Sequence, residues 1–312
     1  MTSLLTNVAA RTALATLTQT NSMLEKTQSR ISTGFRVGSA QDNAAYWSIA
    51  TTMRSDSAAL STVQDALGLG AATVDVAYNA IETAIDLTTE IKKKLVAARE
   101  PGVDKTKIQS EITELQNELN SVATASVFSG ENWISVNSSP TSYNATKQIV
   151  ASFSRTGGAV TIGTVSINTA NVKLYDASAS ADGILDGSRN SSGALSTTGT
   201  LAGVSSISIS ALTDSAADIL TLESYVAGAD AAIASMTPAA STLGAVKSRI
   251  DIQKDFVKGL KDAIDQGVGQ LVDADMNEES TKLQALQVQA QLGIQALSIA
   301  NQSSQNILTL FR

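Results

Sequence analysis

Side chains suited to chemistry are sparse in this chain. Its 312 residues include no His and no Cys. Without His it lacks the usual general base and the commonest zinc ligand. Without Cys it has no thiol nucleophile, no thiolate metal site and no disulfide. Carboxylate pairs such as Asp273 and Asp275 remain as acid–base candidates, though a solvated face explains them better. "GLGAAT" (Gly68–Thr73) has the look of a phosphate loop, but it lies inside an unbroken heptad with no strand ahead of it. Asn137, Asn144 and Asn190 each open an Asn-x-Ser/Thr triplet, a pattern too short to establish glycosylation. The sequence therefore assigns no catalytic, cofactor-binding or metal-ligating residue, and the chain is expected not to be an enzyme.

The net charge of −7 argues against a nucleic-acid partner. The opening "MTSLLTNVAARTALATLTQT" has no basic region followed by an unbroken apolar run, so no secretory leader is expected. If the protein leaves the cell, it takes another route. Leu283–Phe311 carries no Asp, Glu, Lys or Arg. Its length would span a bilayer, but recurrent Gln and Asn side chains would be costly in lipid, so no membrane insertion is expected.

The dominant signal is periodicity. Leu283, Leu286, Ala290, Gly293, Leu297, Ala300, Ser304, Ile307 and Phe311 step by three and four, which is a coiled-coil seam. Ala10, Leu14, Leu17, Asn21, Leu24, Gln28, Ile31 and Phe35 do the same at the other end, with Asn21 and Gln28 placed on the seam. A longer run, from Leu60 and Val63 through Ile81 to Ile91 and Leu95, keeps the heptad without a slip. Pro101 and Gly102 end it, Asp104 can cap the next helix, and the short connection implies an antiparallel hairpin. That helix carries Ile108, Ile112, Leu115, Leu119 and Val122. Ile219–Met236 and Leu243–Ile264 repeat the pattern on either side of Pro238, as two helices or as one kinked helix.

Between the helical arms the chain turns rich in Ser, Thr, Gly, Asn and Asp. "AVTIGTVSI" (Ala159–Ile167) and "NVKLYD" (Asn171–Asp176) read as strands with one wet face. The expected fold is mainly α: a long antiparallel coiled-coil or helical bundle built from both chain ends, with a small β-rich insert. Residues 1–40 are net positive (Arg11, Lys26, Arg30 and Arg36 against Glu25) and residues 270–312 net negative, which favours the two arms lying side by side. Leu292, Ile294, Ile299, Leu308 and Leu310 lie off the tail's seam. Apolar residues on several faces of one helix need more than one partner helix to cover them.

"SRISTGFRVGSAQDNAAYWSIATTMRSD" (Ser29–Asp56) resembles the N-terminal signature of bacterial flagellins, and "LQVQAQLGIQALSIANQSSQNILTLFR" (Leu286–Arg312) resembles their C-terminal signature. The likeness covers about residues 1–135 and 215–312, and its wording is similar to that of rhizobium- and agrobacterium-type alphaproteobacterial flagellins. It implies a structural subunit that polymerises into the flagellar filament for swimming. It implies an inner-tube D0 domain from 1–40 and 270–312, a D1 helical bundle from 41–136 and 214–269, and an exposed variable insert at 137–213.

Carried onto this chain, Leu14, Leu17, Leu24 and Ile31 would pack in the inner tube with Leu283, Leu286, Leu297, Ile307 and Phe311. Gly34, Phe35 and Gly38 would form the spoke between tube and shell. The implied partners are further copies, sister flagellins, the type III export apparatus with its chaperone, and the cap and hook-associated proteins. The implied location is the extracellular filament, reached without a cleaved leader, with no cofactor. Departures at "AQDNAAYW" and "LTTEIKKKLVA" imply weak sensing by host receptors that read those stretches in some flagellins. The alternatives are a hook–filament junction protein and a secreted monomeric coiled-coil adhesin or effector.

Overall fold

The computed structural model describes residues 7–140, 143–178, 181–190, 192–196 and 201–309, with side chains described as far as residue 302. The chain divides into two compact units, one of Met1–Ala58 with Leu260–Arg312, the other of Ala59–Gly259. It is mainly helical, with antiparallel helices from both chain ends and a small strand-bearing insert.

In the first unit, helix α1 (Val8–Thr33) begins where the Asn7 side chain accepts the Ala10 N–H at 2.9 Å. It ends at Gly34, whose φ of 75° is the left-handed cap that glycine adopts without penalty. Helix α5 (Met276–Thr309) starts under Asp275, whose carboxylate takes the N–H groups of Asn277 and Glu278. Glu278 and Glu279 in its first turn suit the positive end of the helix. The two helices run antiparallel. The chain leaving α1 pairs with the chain entering α5: Arg36 and Val37 donate to the Val272 carbonyl at 2.7 and 3.1 Å, and Ala274 donates to Gly34 at 2.9 Å.

Helix α2 (Ala44–Ala97) begins in this unit and helix α4 (Ala216–Val272) ends in it. Their ends enclose a small core of Val37, Ala50, Val268 and Val272, flanked by Phe35, Met53, Ile264 and Leu271.

In the second unit, every described heptad position of α2 from Leu60 to Leu95 is buried, as the periodicity requires. Gly102, at φ 82°, turns the chain into helix α3 (Lys105–Ala125), which Asp104 caps. Ile112 and Leu119 of α3 are fully buried. Helix α4 resolves the question at Pro238 as one continuous 57-residue helix, with Met236 and Ala239 buried on either side. Its antiparallel register against α2 can be read from Asp75–Lys247, Lys92–Asp230 and Arg99–Glu223, paired at 2.6, 2.5 and 2.5 Å.

Between α3 and α4 the described residues form three two-stranded pieces, which begin before the expected insert boundary at 137. Strands β1 (Val127–Phe128) and β2 (Glu131–Asn132) form a tight hairpin, and β3 (Ser135–Val136) pairs parallel with β6 (Tyr175–Asp176). Strands β4 (Thr146–Thr156) and β5 (Ala159–Asn168) form a longer hairpin around Gly157 and Gly158, both at positive φ. The strand expected at Ala159–Ile167 is present. The one expected at Asn171–Asp176 survives only as Tyr175–Asp176. Asn168 accepts the Ala170 N–H and starts a single 3-10 turn at Thr169–Asn171 instead.

Beyond β6 the described residues pack around Arg189, which bridges to Leu195 and Leu201. Its guanidinium is buried and donates to the carbonyls of Gly193 and Ile184. Burial lowers the pKa of this group. Asp176 is anchored by the Lys173 ammonium at 2.6 Å and by the N–H and hydroxyl of Ser138.

Candidate functional site

The α1–α5 pair holds most of the residues expected to mediate self-association. The α5 seam lies where the heptad places it: Leu286 is buried, while Leu283, Ala290, Gly293, Leu297 and Ala300 are half-buried. Ile307 belongs to α5, but its side chain lies outside the described residues, as does Phe311 altogether.

Helix α1 departs from the expected seam. Asn21 and Gln28 are exposed, and Thr20 and Thr27 take their places with 1% and 2% exposure. The covered stripe is Ala10, Ala13, Leu17, Thr20, Leu24, Thr27 and Ile31. The physical reason is access and polarity. A threonine hydroxyl can be satisfied on its own helix, as Thr20 is on the Thr16 carbonyl at 2.9 Å. A buried Asn or Gln amide would need partners that an Ala- and Gly-lined α5 does not supply. Leu17 then fits against Gly293, where an added Cβ would stand 3.2 Å from the Leu17 Cδ1. Leu14 lies off this stripe and is mostly exposed.

Polar contacts fix both ends of the pair. The Asn7 amide donates to the Ala300 carbonyl at 3.0 Å. At the base Arg30 and Glu279 meet at 2.8 Å, with Glu279 almost wholly buried. This contact joins the oppositely charged arms. The junction below is also pinned. Lys26 lies 3.2 Å from Asp42 and holds its carboxyl below the usual value, helped by the N–H groups of Ser39 and Gly38. Of the three expected spoke residues, Gly34 has the left-handed backbone that only glycine takes freely, and Phe35 packs half-buried under the Arg54 guanidinium at 4.7 Å. Gly38 has open space around it and no such backbone constraint.

What the pair leaves bare matters as much. Leu292 is 58% exposed and Ile299 is 69% exposed, and Val288 is exposed one turn before Leu292. These three fall on the side of α5 opposite its seam, by their spacing of four and seven. On α1, Val8, Leu14 and Met23 are exposed. Ala15, Thr18 and Ser22 line an open groove between Leu14 and Met23. No helix among the described residues is long and apolar enough to cross a membrane. From Leu283 on, the described part of α5 is uncharged and carries two apolar faces, only one of which packs against α1.

Residues 4–139 match the bacterial flagellin N-terminal helical region, and residues 226–311 the bacterial flagellin C-terminal helical region. The chain is 54% identical to Flagellin C of Rhizobium meliloti (strain 1021), over the full length of both proteins. It is 45% identical to Flagellin A of the same strain and 45% identical to the flagellin of Brucella melitensis biotype 1, again over full lengths. The chain belongs to the bacterial flagellins, and it is a structural subunit of the flagellar filament.

Proposed function

We propose that the α1–α5 pair is the polymerising element, and that copies of this chain bundle their pairs around a common axis as the inner tube. Leu17, Leu24, Ile31, Leu283, Leu286 and Leu297 hold the pair together within one subunit. Leu14, Val288, Leu292 and Ile299 face neighbouring subunits. Gly34, Phe35 and Gly38 carry the chain from tube to shell. The role is mechanical, with no catalysis and no cofactor. The subunit leaves the cell through the flagellum's own export channel with its chaperone. It then meets the cap and hook-associated proteins, and sister flagellins as co-subunits.

One observation carries this reading: α5 presents an uncharged second face, Val288–Leu292–Ile299, that its own chain leaves uncovered. The test separates the two faces. Leu292→Asp puts a carboxylate on the outward face, where it meets water in the free subunit and is desolvated only on assembly. The purified variant should keep wild-type helicity yet fail to elongate filament seeds. Leu297→Asp sits on the inner seam and should reduce helicity as well as block assembly. Normal seed elongation by Leu292→Asp would overturn the reading.

A further inference from the structure

We propose that Asp186 holds a proton in the folded insert, and that this proton latches the Ile184–Arg189 segment onto β6 and the residues before it. The latch lies in the second compact unit and is independent of the reading of the α1–α5 pair. Lys173–Asp176 and Ile184–Asp186 lie side by side. Ile184 and Leu185 donate to the carbonyls of Lys173 and Leu174 at 3.1 and 2.9 Å. Asp186 closes the row, its Oδ2 accepting the Asp176 N–H at 2.8 Å.

The other carboxyl oxygen is differently placed. Asp186 Oδ1 is buried without a hydrogen-bond partner. A Cβ added at Gly183 would stand 2.3 Å from this oxygen and 2.4 Å from the Leu174 carbonyl oxygen, so the two acceptors crowd one point. Two acceptors with no proton between them repel, and a buried carboxylate oxygen left unpaired is costly. A proton on Oδ1 turns the pair into a donor and an acceptor. The Leu174 carbonyl has a second lone pair for it, since the Leu185 N–H uses only one.

No cation takes the proton's place. Lys173 is engaged by Asp176 at 2.6 Å, and the Arg189 guanidinium donates to the Ile184 and Gly193 carbonyls. Gly203 packs on the Asp186 backbone and brings no charge. Burial, and then the Asp186 charge, push the Tyr175 phenol up, so it stays neutral, and its buried hydroxyl also lacks a partner. Burial raises Asp186 itself, and the Asp176 carboxylate pushes the same way, against the pull of the N–H groups of Asp176, Gly183 and Asp186. Asp176, although desolvated too, is held below the usual range by Lys173 and Ser138. The neighbouring carboxyls thus divide into one anion and one acid. A raised value means that the stability Asp186 contributes is fully present below the unfolded value of about 3.9 and is lost as pH rises through the folded one. The segment is firm in acid and loosens toward neutral pH.

The full-length monomer tests this. The chain has two tryptophans, so a Trp47→Phe background leaves Trp133, buried in the second unit, as the sole indole reporter. Urea unfolding is followed by its emission across pH, with and without Asp186→Asn, which replaces the proton by a fixed amide donor. The unfolding constant of the Asp186 chain, relative to the Asn variant, should rise roughly tenfold per pH unit above about 4 until the folded carboxyl has ionised. Asp176 is charged in folded and unfolded chains over that window and adds no slope. Carbon-13 NMR titration of the Asp186 carboxyl in wild type gives its midpoint directly, even where the variant does not fold. A midpoint above the ordinary aspartate range is expected. A midpoint at or below that range, or a ratio that does not change with pH, would overturn the proposal.

Discussion

Two glycines in one short motif show how differently the same residue can be used. "GLGAAT" holds Gly68 and Gly70 in the interior of α2, where glycine weakens a helix by roughly 0.5–1 kcal/mol relative to alanine. At Gly70 that weakness has a purpose. An added Cβ would stand 2.5 Å from the Cγ2 of Ile149, so β4 can lie on α2 only because the side chain is missing. At Gly68 nothing lies within 4 Å of the same point. Gly70→Ala is therefore expected to destabilise the second unit by about 1–3 kcal/mol, as overpacking against a buried β-branched side chain does. Gly68→Ala should be neutral or should stabilise by up to about 1 kcal/mol. Urea denaturation followed by circular dichroism measures both, and equal effects would contradict the packing described. The resemblance to a phosphate loop thus has a steric explanation in one glycine and none in the other.

At the scale of elements, legibility followed the strength of the apolar pattern. In α2, large residues such as Leu60, Leu67, Ile81, Ile91 and Leu95 occupy the seam, and the seam was readable without error. In α5 the described part of the seam again matches, although Val288, Leu292, Ile294 and Ile299 lie off it. In α1 the residues every seven along, Leu17, Leu24 and Ile31, fix only half of the stripe. The other half falls either at Ala13, Thr20 and Thr27 or one residue later at Leu14, Asn21 and Gln28. Neither set is strongly apolar, and hydrophobicity alone favours Leu14, so the wrong set was the natural choice. Only the partner decides, because a helix lined with Ala290 and Gly293 accepts small side chains at close approach.

The insert was less legible. Strand β4 has only a weak alternation, and the residues around Arg189 stand in a Ser-, Thr- and Gly-rich stretch whose composition gives no sign of a buried guanidinium. The α1 register is testable because the chain lacks Cys, so that introduced thiols are unambiguous. The packing of Leu17 on Gly293 puts Thr20 opposite Ala290 one turn on. Thr20→Cys with Ala290→Cys should close a disulfide within one chain under mild oxidation. Asn21→Cys with Ala290→Cys should not, because it points away. Non-reducing gel mobility distinguishes them, and the reverse outcome would place Asn21 and Gln28 on the seam.

At the scale of the whole molecule, the two compact units differ in how much they bury. The second unit has a large apolar core, with Leu67, Ile81, Ile91, Leu95, Ile112 and Leu119 among its fully buried side chains. The α1–α5 pair has little to match that. Apart from the small cluster at its base, its buried positions among the described residues are Thr20, Thr27, Glu279 and Leu286. Burial of a large apolar side chain contributes about 1.5–3 kcal/mol, whereas ordering each backbone residue costs about 1–2 kcal/mol. Helical hydrogen bonds offset part of that cost, but a helix pair with so few buried large side chains stays near the margin. Local stability in one chain is uneven for this reason, and amide exchange reads it directly. In dilute monomer the α1 and α5 amides should exchange orders of magnitude faster than those of α2 between Leu67 and Leu95. In filaments the α1 and α5 amides should slow to the rates of the second unit, whose own exchange changes little. That asymmetric gain follows from faces that are apolar, uncharged and bare until a second copy arrives. Equal protection of both units in the monomer would mean that the pair is already complete on its own and that its outward face has some other use.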